Sequence, residues 1–330
     1  MSGPLALITG ATGFIGTRLS PHLLAQGWRV RVLARRMPSG GWPERIETVS
    51  GGLEDSSAVE HSVHGADTVF HLAAKLHLSH VDASMRPEYE RINVEGTRRL
   101  VEAAAAKNVR RFVYFSTINV YGACHKGEVM DETSALEPDS LYARTKLDGE
   151  RFVKSATTAN GAHLGVVLRL AAVYGQGMKG NYPRLVGALS KRSFIPIGKG
   201  VNRRTLVHVD DVVSAALLAA IHHDAAGKTY NVTDGQVHSM QDILGAICDA
   251  MGRLPPRVHV PLWAARGLAY SCEGVFKLAG RDAPLSRDMV NKYAEDLAVS
   301  GQAMQRELGY TPKFDLAAGW RDALGSSCHL

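Results

Sequence analysis

The chain reads as an α/β protein, a doubly wound parallel sheet followed by a smaller C-terminal α/β portion, and three observations lead there. Short apolar runs alternate with amphipathic stretches through the first half, the pattern left by βαβ crossovers. A glycine triplet, Gly10-Ala11-Thr12-Gly13-Phe14-Ile15-Gly16, follows the first apolar run and opens a helical stretch. After Gly175 the alternation loosens into QGMKGNYPR, IPIGKG and RLPPRVHVP, rich in glycine and proline.

Strands are expected at Leu5–Thr9, Arg29–Leu33, Ile46–Val49, Asp67–Leu72, Arg111–Ser116 and His163–Arg169. Between them the clearest helix is Tyr89–Asn108, where Ile92, Leu100 and Val101 mark an apolar face just after Pro87. A second helix is expected over Tyr142–Thr158. Thr205–Ile221 and Thr229–Val232 read as a strand, a helix and a strand able to return to the main sheet. The expected division is residues 1–176 with 203–235 as the cofactor portion, and 177–202 with 236–330 as the substrate portion. No internal repeat or low-complexity segment interrupts the pattern.

Composition narrows the function. The 330 residues hold 38 Lys plus Arg against 32 Asp plus Glu, and 45% are hydrophobic, which suits an ordinary globular chain. The net +6 is scattered, with nothing longer than pairs such as Arg35-Arg36, so no nucleic-acid surface is expected. Cys124, Cys248, Cys272 and Cys328 show no CxxC spacing, which predicts neither a disulfide framework nor a metal site. Among the fourteen histidines, His222-His223 and His61 with His64 lack a metal-ligand pattern. Cys124 is expected to pack inertly. The opening MSGPLALITG enters a strand at once, and the apolar run at Val212–Ile221 is too short to span a bilayer. A cytoplasmic protein without stable membrane insertion is expected. Leu262–Leu278 carries Trp263, Leu268 and Phe276, but Arg266, Glu273 and Lys277 interrupt it, and it is expected to pack within the substrate portion.

The glycine triplet has GxxGxxG spacing. Gly10 and Gly13 would allow a tight turn and close approach of Thr12, Phe14 and Ile15 amides to a pyrophosphate. Gly16 would let the helix pack on the sheet. At the end of the second strand, Val32-Leu33-Ala34-Arg35-Arg36 offers no carboxylate for an adenosine ribose hydroxyl. Arg35 or Arg36 would instead meet a 2′-phosphate, which predicts NADP(H) as the preferred cofactor, with NAD(H) possible.

Tyr142 and Lys146 stand four residues apart at the start of a helix, on one face and one turn apart. A free tyrosine is a poor acid or base at neutral pH; a neighbouring ammonium favours tyrosinate and makes it a usable one. Thr117 follows the Arg111–Ser116 strand, where open α/β sheets bind ligands.

These motifs resemble the extended short-chain dehydrogenase/reductase family, in its NAD-dependent epimerase/dehydratase branch. The matching runs are TGATGFIG, HLAA at His71–Ala74, NVEGT at Asn93–Thr97 and STINVYG at Ser116–Gly122. YARTK at Tyr142–Lys146, LRLAAVYGQG, RTLVHVDDV and YNVTDG continue in the family's order. The resemblance implies a Rossmann-like core and a catalytic set of Thr117, Tyr142 and Lys146, with Ser116 as a helper. It implies that Leu53, Leu72, Ala73 and Ala74 line the cofactor, that Lys146 also holds nicotinamide ribose hydroxyls, and that Asn93 supports the central sheet. It also implies Asn181 and Arg204 at a substrate diphosphate, with Arg203 a weaker match and His208 supporting the loop.

Departures from the family pattern sort the activities. Ile118 and Asn119 stand where 4,6-dehydratases carry an Asp-Glu pair, which argues against dehydration and leaves a 4-keto reductase or a 4-epimerase. Gly52 replaces an aspartate that meets adenine, leaving Asp55 or Glu54 to take that part. Leu170 and Gln176 replace prolines near VYG, and Thr117 replaces a serine. The C-terminal half most resembles bacterial reductases of UDP-4-keto-6-deoxy-N-acetylhexosamines in surface-polysaccharide assembly. A UDP-hexose 4-epimerase is the alternative, ahead of a steroid- or flavanone-type ketoreductase or a non-catalytic NADP sensor. The resemblance also implies a homodimer formed through the Tyr89–Asn108 and Tyr142–Thr158 helices.

Overall fold

The computed structural model describes residues 3–38, 40–76, 83–125, 127–278, 283 and 286–325; Cys328 lies outside them. The chain runs β1 (Leu5–Thr9), α1 (Gly16–Ala25), β2 (Arg29–Ala34), β3 (Ile46–Ser50), α2 (Ser56–Val63) and β4 (Thr68–His71). It continues through α3 (Arg86–Tyr89), α4 (Gly96–Ala106), β5 (Arg111–Thr117), α5 (Leu141–Ser155), β6 (Gly165–Leu170) and β7 (Ala172–Tyr174). Next come α6 (Asn181–Ser190), β8 (Arg203–Arg204), β9 (Leu206–His208), α7 (Val209–Ile221), β10 (Thr229–Val232) and β11 (His238–Ser239). The last helices are α8 (Met240–Ala250), α9 (Leu262–Leu278), α10 (Arg287–Ala294), α11 (Gln302–Leu308) and α12 (Leu316–Leu324).

Seven strands form one parallel sheet in the order β10-β6-β5-β4-β1-β2-β3. The winding reverses between β1 and β4, which opens a crevice at the carboxyl ends of those strands. The inner strands β1, β4, β5 and β6 are buried along nearly their whole length because both faces are covered, while the edge strand β3 alternates buried and exposed residues. Ala6 and Ile8 of β1 join α1 and α7 through Leu19, Leu23, Val212 and Ala216. Leu5 and Leu7, alternating with them, join α2, α4 and α5 through Val59, Leu100 and Val153. A third core around Tyr174, Leu206, Ile243 and Trp320 ties β7 and β9 to α8 and α12.

Three expectations change. Thr229–Val232 does return to the sheet, beside β6, but β9 pairs only with β7. The helix expected over Tyr89–Asn108 is interrupted by a π-helical turn at Glu90–Glu95, which widens the coil at Asn93. Finally, α9 packs by its alanines: Ala265 and Ala269 are buried, whereas Trp263 is 79% and Leu268 60% exposed. No helix among the described residues is long and apolar enough to cross a membrane.

Candidate active site

The glycine loop sits at the carboxyl end of β1 beside the switch point. Gly10 holds φ +75°, and a Cβ there would lie 2.7 Å from the Ala73 amide nitrogen, so only glycine lets the loop pack on the Leu72–Ala73 backbone. A Cβ on Gly16 would meet the Gly10 carbonyl at 2.5 Å, which allows α1 to start directly under the turn. The first turn of α1 has neither a side-chain cap nor an acidic residue. Its partial positive charge therefore faces the crevice, a fit for a pyrophosphate. Thr12 is exposed, and Phe14 and Ile15 are partly so.

A buried polar chain fixes the loop after β4. The His71 ring is wholly buried, with Nδ1 2.6 Å from Thr9 Oγ1 and Nε2 2.9 Å from Thr97 Oγ1. Thr97 donates its proton to the Asn93 carbonyl at 2.7 Å, so His71 Nε2 is the donor and Nδ1 accepts from Thr9. Burial and the nearby Lys146 charge push the His71 pKa well down, which keeps the ring neutral. Thr9 Oγ1 also accepts from the Ala73 amide at 3.3 Å. Leu72, Ala73 and Ala74 are partly exposed and remain able to line the cofactor.

Asn93 holds this loop, not the sheet. Its Oδ1 accepts from the Lys75 amide at 2.6 Å and its Nδ2 donates to the Lys75 carbonyl at 3.1 Å and to Thr145 Oγ1 at 3.0 Å. It therefore staples the β4 loop to α5, the helix that carries Tyr142 and Lys146.

Tyr142, Lys146 and Glu150 fall at successive turns on one face of α5, which Ser140 caps through the Ala143 amide. Gly149 lets this face approach β5, since a Cβ there would overlap the Tyr114 hydroxyl. Lys146 is 2% exposed, with Nζ 3.9 Å above the Tyr114 ring centroid. Burial brings its pKa from 10.5 down to about 7, opposed by the Glu150 charge. Tyr142 is partly exposed, and burial together with Tyr89 pushes its phenol up to about 12. Without a ligand Tyr142 is thus a proton donor. Thr117 ends β5, partly exposed, its hydroxyl accepting from the Asn119 amide at 3.2 Å.

Ser116 does not join the crevice. Its side chain alternates away from that of Thr117 and donates to Glu150 Oε1 at 2.5 Å, with the residue 4% exposed. Glu150 is also paired with Arg169, 2.7 Å apart, in a bridge exposed only 1% and 2%. Arg169 donates to the Tyr121 hydroxyl at 2.9 Å, and Tyr121 donates to Asn231 Oδ1 at 2.9 Å. This network was missed at the sequence level. The signals available were Glu150 one turn beyond Lys146 and an arginine inside the apolar run VVLRL.

Arg35 and Arg36 are exposed just beyond β2, where Ala34 is its last residue. Leu53 is 6% exposed in the core beneath Gly96, with its carbonyl taken by Arg99 at 2.5 Å. Asp55 caps α2 through the Ala58 amide at 3.0 Å, which leaves Glu54 exposed. Gln176 is held by Arg18 of α1 through both its carbonyl and its side-chain oxygen, each at 3.2 Å.

Asn181 is exposed as the first residue of α6. Arg204, expected at a diphosphate, is engaged otherwise. Its guanidinium donates to the carbonyls of Glu295, Lys292 and Tyr293, which close the C-terminal end of α10. Arg203 pairs with Asp296 at 3.1 Å. His208 is buried and accepts from the Asp210 amide at the start of α7, a supporting part as expected. Cys124 is buried against Ala298, and burial raises its thiol pKa.

A family model described as the NAD dependent epimerase/dehydratase family matches residues 6–233. The chain belongs to that family. Within it, short-chain dehydrogenase/reductase family 42E member 1 of Xenopus laevis is 30% identical over 326 residues, covering 93% of this chain and 84% of that protein. A dTDP-glucose 4,6-dehydratase of Streptomyces griseus is 31% identical over 329 residues, covering 95% and 90%. Among solved structures, MoeE5 in complex with UDP-glucose and NAD superposes with a TM-score of 0.75 at 27% identity, covering 98% of this chain and 97% of that one. The protein is an extended short-chain dehydrogenase/reductase of the epimerase/dehydratase family, with the Rossmann-like sheet of that family.

Proposed function

We propose that the protein is an NADP(H)-preferring oxidoreductase acting on a nucleotide sugar, reducing the C4 ketone of a UDP-4-keto-6-deoxy-hexosamine for polysaccharide assembly. The observation that carries this reading is the donor-state Tyr142 one turn from a buried Lys146 on α5, with Thr117 at the carboxyl end of β5 and no carboxylate at Ile118 or Asn119. Ile118 is 3% exposed, so the position a dehydratase uses for acid/base work is filled by packing. The solved relative carrying UDP-glucose and NAD supports the nucleotide-sugar class.

The glycine loop, the start of α1, Ala73, Ala74 and Lys146 would hold the dinucleotide, whose nicotinamide supplies hydride to C4. Tyr142 donates its phenolic proton to O4, so that C=O becomes CH–OH. The Thr117 hydroxyl orients the carbonyl oxygen by hydrogen bond, and the Lys146 ammonium stabilises the tyrosinate left behind. Asn181, at the uncapped start of α6, would meet the diphosphate; Arg204 would join only by leaving the α10 carbonyls. NADP(H) preference rests on Ala34 and the exposed Arg35 and Arg36. The homodimer implied through α4 and α5 is part of the same reading and is checked by light scattering.

Loss of reduced-nicotinamide absorbance on adding the UDP-keto-sugar tests the reaction. Stoichiometric NADPH consumption supports it, and Tyr142→Phe should lower turnover at least about a hundredfold while leaving cofactor affinity in place. Unchanged turnover in Tyr142→Phe sinks the mechanism. A protein that purifies with retained NAD and interconverts UDP-hexoses without net consumption is instead a 4-epimerase. Equal affinity for NADH and NADPH removes the cofactor preference.

A further inference from the structure

Two stretches of the C-terminal region carry base without acid. Residues 184–203 hold Arg184, Lys191, Arg192, Lys199 and Arg203; residues 253–272 hold Arg253, Arg257 and Arg266; neither stretch contains an aspartate or glutamate. These eight cations exceed the net charge of +6 on the whole chain. Folding sets the two stretches side by side. The Val260 amide donates to the Pro196 carbonyl at 2.9 Å and the Gly198 amide to the Val260 carbonyl at 2.8 Å, while Arg253 reaches the Ser190 carbonyl. Asp296, from outside both stretches, neutralises Arg203. Lys191, Arg192, Lys199, Arg257 and Arg266 are exposed, and none has a carboxylate partner among the described residues.

Helix α9, which begins in the second stretch, turns alanines inward and leaves several large residues in solvent. Ala265 and Ala269 face inward onto Val290. Trp263, Leu268 and Tyr270 face out, 79%, 60% and 65% exposed. Trp263, Arg266 and Tyr270 follow at helical spacing and form one stripe. Leu254 and Val258, just before the helix, are 78% and 74% exposed. A solvated helix face is normally charged or polar, and contiguous exposed apolar surface marks an interaction site. Here Trp263 and Tyr270 flank the unneutralised Arg266 on α9, and Lys191, Arg192, Lys199 and Arg257 come from the adjoining segments, while Arg287 lies 5.2 Å from the Tyr270 ring centroid and pairs with Glu273. Exposed aromatic residues beside unneutralised cations suit a surface that meets a lipid headgroup layer.

We infer that this face docks the protein on an anionic lipid bilayer. Trp263 and Tyr270 enter the boundary between headgroups and acyl chains, and Lys191, Arg192, Arg257 and Arg266 lie against anionic headgroups. Attachment is peripheral, reversible and screened by salt. A second copy of the chain is the poorer occupant, because two-fold pairing of the same patch would set cations against cations. The inference does not depend on the substrate or on the direction of the reaction.

The test is co-sedimentation of the full-length protein with vesicles of phosphatidylcholine alone or with a third of phosphatidylglycerol. Binding should require phosphatidylglycerol and weaken with added salt. Trp263→Ala with Tyr270→Ala should weaken it roughly tenfold, and Lys191→Glu with Arg192→Glu by a similar factor or more. Both pairs are exposed, so melting temperature and cofactor binding should stay at wild-type values. Equal binding to neutral vesicles, no vesicle binding, insensitivity to both double variants, or a patch covered by self-association or by a DNA duplex instead of lipid would each overturn the proposal.

Discussion

Lys146 should make the stability of the unliganded protein rise with pH, and the size of the effect follows from its burial. The side chain is 2% exposed, its ammonium lies over the Tyr114 ring, and its pKa falls from 10.5 to about 7. Below pH 7 both the folded and unfolded chains hold the proton, and the folded state carries the full desolvation penalty, on the order of 5 kcal/mol. Between pH 7 and 10.5 the unfolded chain binds the extra proton, so stability rises with pH, by up to about 1.4 kcal/mol per unit. Lys146→Met preserves length and removes the charge. Urea denaturation of both proteins at pH 7, 8 and 9, without cofactor, isolates this contribution. The wild-type stability relative to Lys146→Met should improve by roughly 2 kcal/mol from pH 7 to pH 9. Parallel pH curves would show that Lys146 keeps an ordinary pKa, and the account of the buried ammonium would fail.

Three further outcomes follow from the same region. Gly149→Ala should force α5 off β5, with a loss of several kcal/mol in urea denaturation and a fall in turnover; Tyr114→Phe should rescue it only in part, because the ring carbon would still sit 2.8 Å from the new Cβ. Glu150→Gln should destabilise the fold by about 3–5 kcal/mol by leaving Arg169 buried without its carboxylate; a loss below about 1 kcal/mol in thermal or urea unfolding contradicts that. Asn93→Ala should weaken cofactor binding by calorimetry and lower turnover, since the Lys75 loop loses two hydrogen bonds and its tie to Thr145; unchanged affinity would mean that the loop holds itself.

Local pattern and fold agree closely where one physical rule governs. The strands Leu5–Thr9 and Thr229–Val232 match their expected limits, and the other five main-sheet strands shift by one or two residues, three at one end and two at both. A parallel strand buried on both faces must be apolar along its length, and that run is visible in one dimension. The glycine loop is legible for a similar reason, since its conformation and the close approach of Ala73 both exclude side chains. Tyr142 and Lys146 need only helical periodicity to share a face.

Other assignments depended on partners distant in sequence. Ser116 and Thr117 are adjacent hydroxyls, and strand alternation sends Ser116 to Glu150 while leaving Thr117 partly exposed with only the Asn119 amide on its oxygen. Which of the two is taken up depends on where α5 packs. Arg204 reads as a phosphate ligand until α10 places three carbonyls around it. Leu53 and Asn93 likewise take their parts from Gly96, Lys75 and Thr145. Spacing along the chain thus establishes the α/β class, the glycine loop and the tyrosine–lysine pair, because each needs only residues within a few turns of one another. Long-range packing chooses which polar groups remain available to a ligand and which become the other's hydrogen-bond partners, because a buried donor or acceptor must be satisfied by whatever the fold brings beside it.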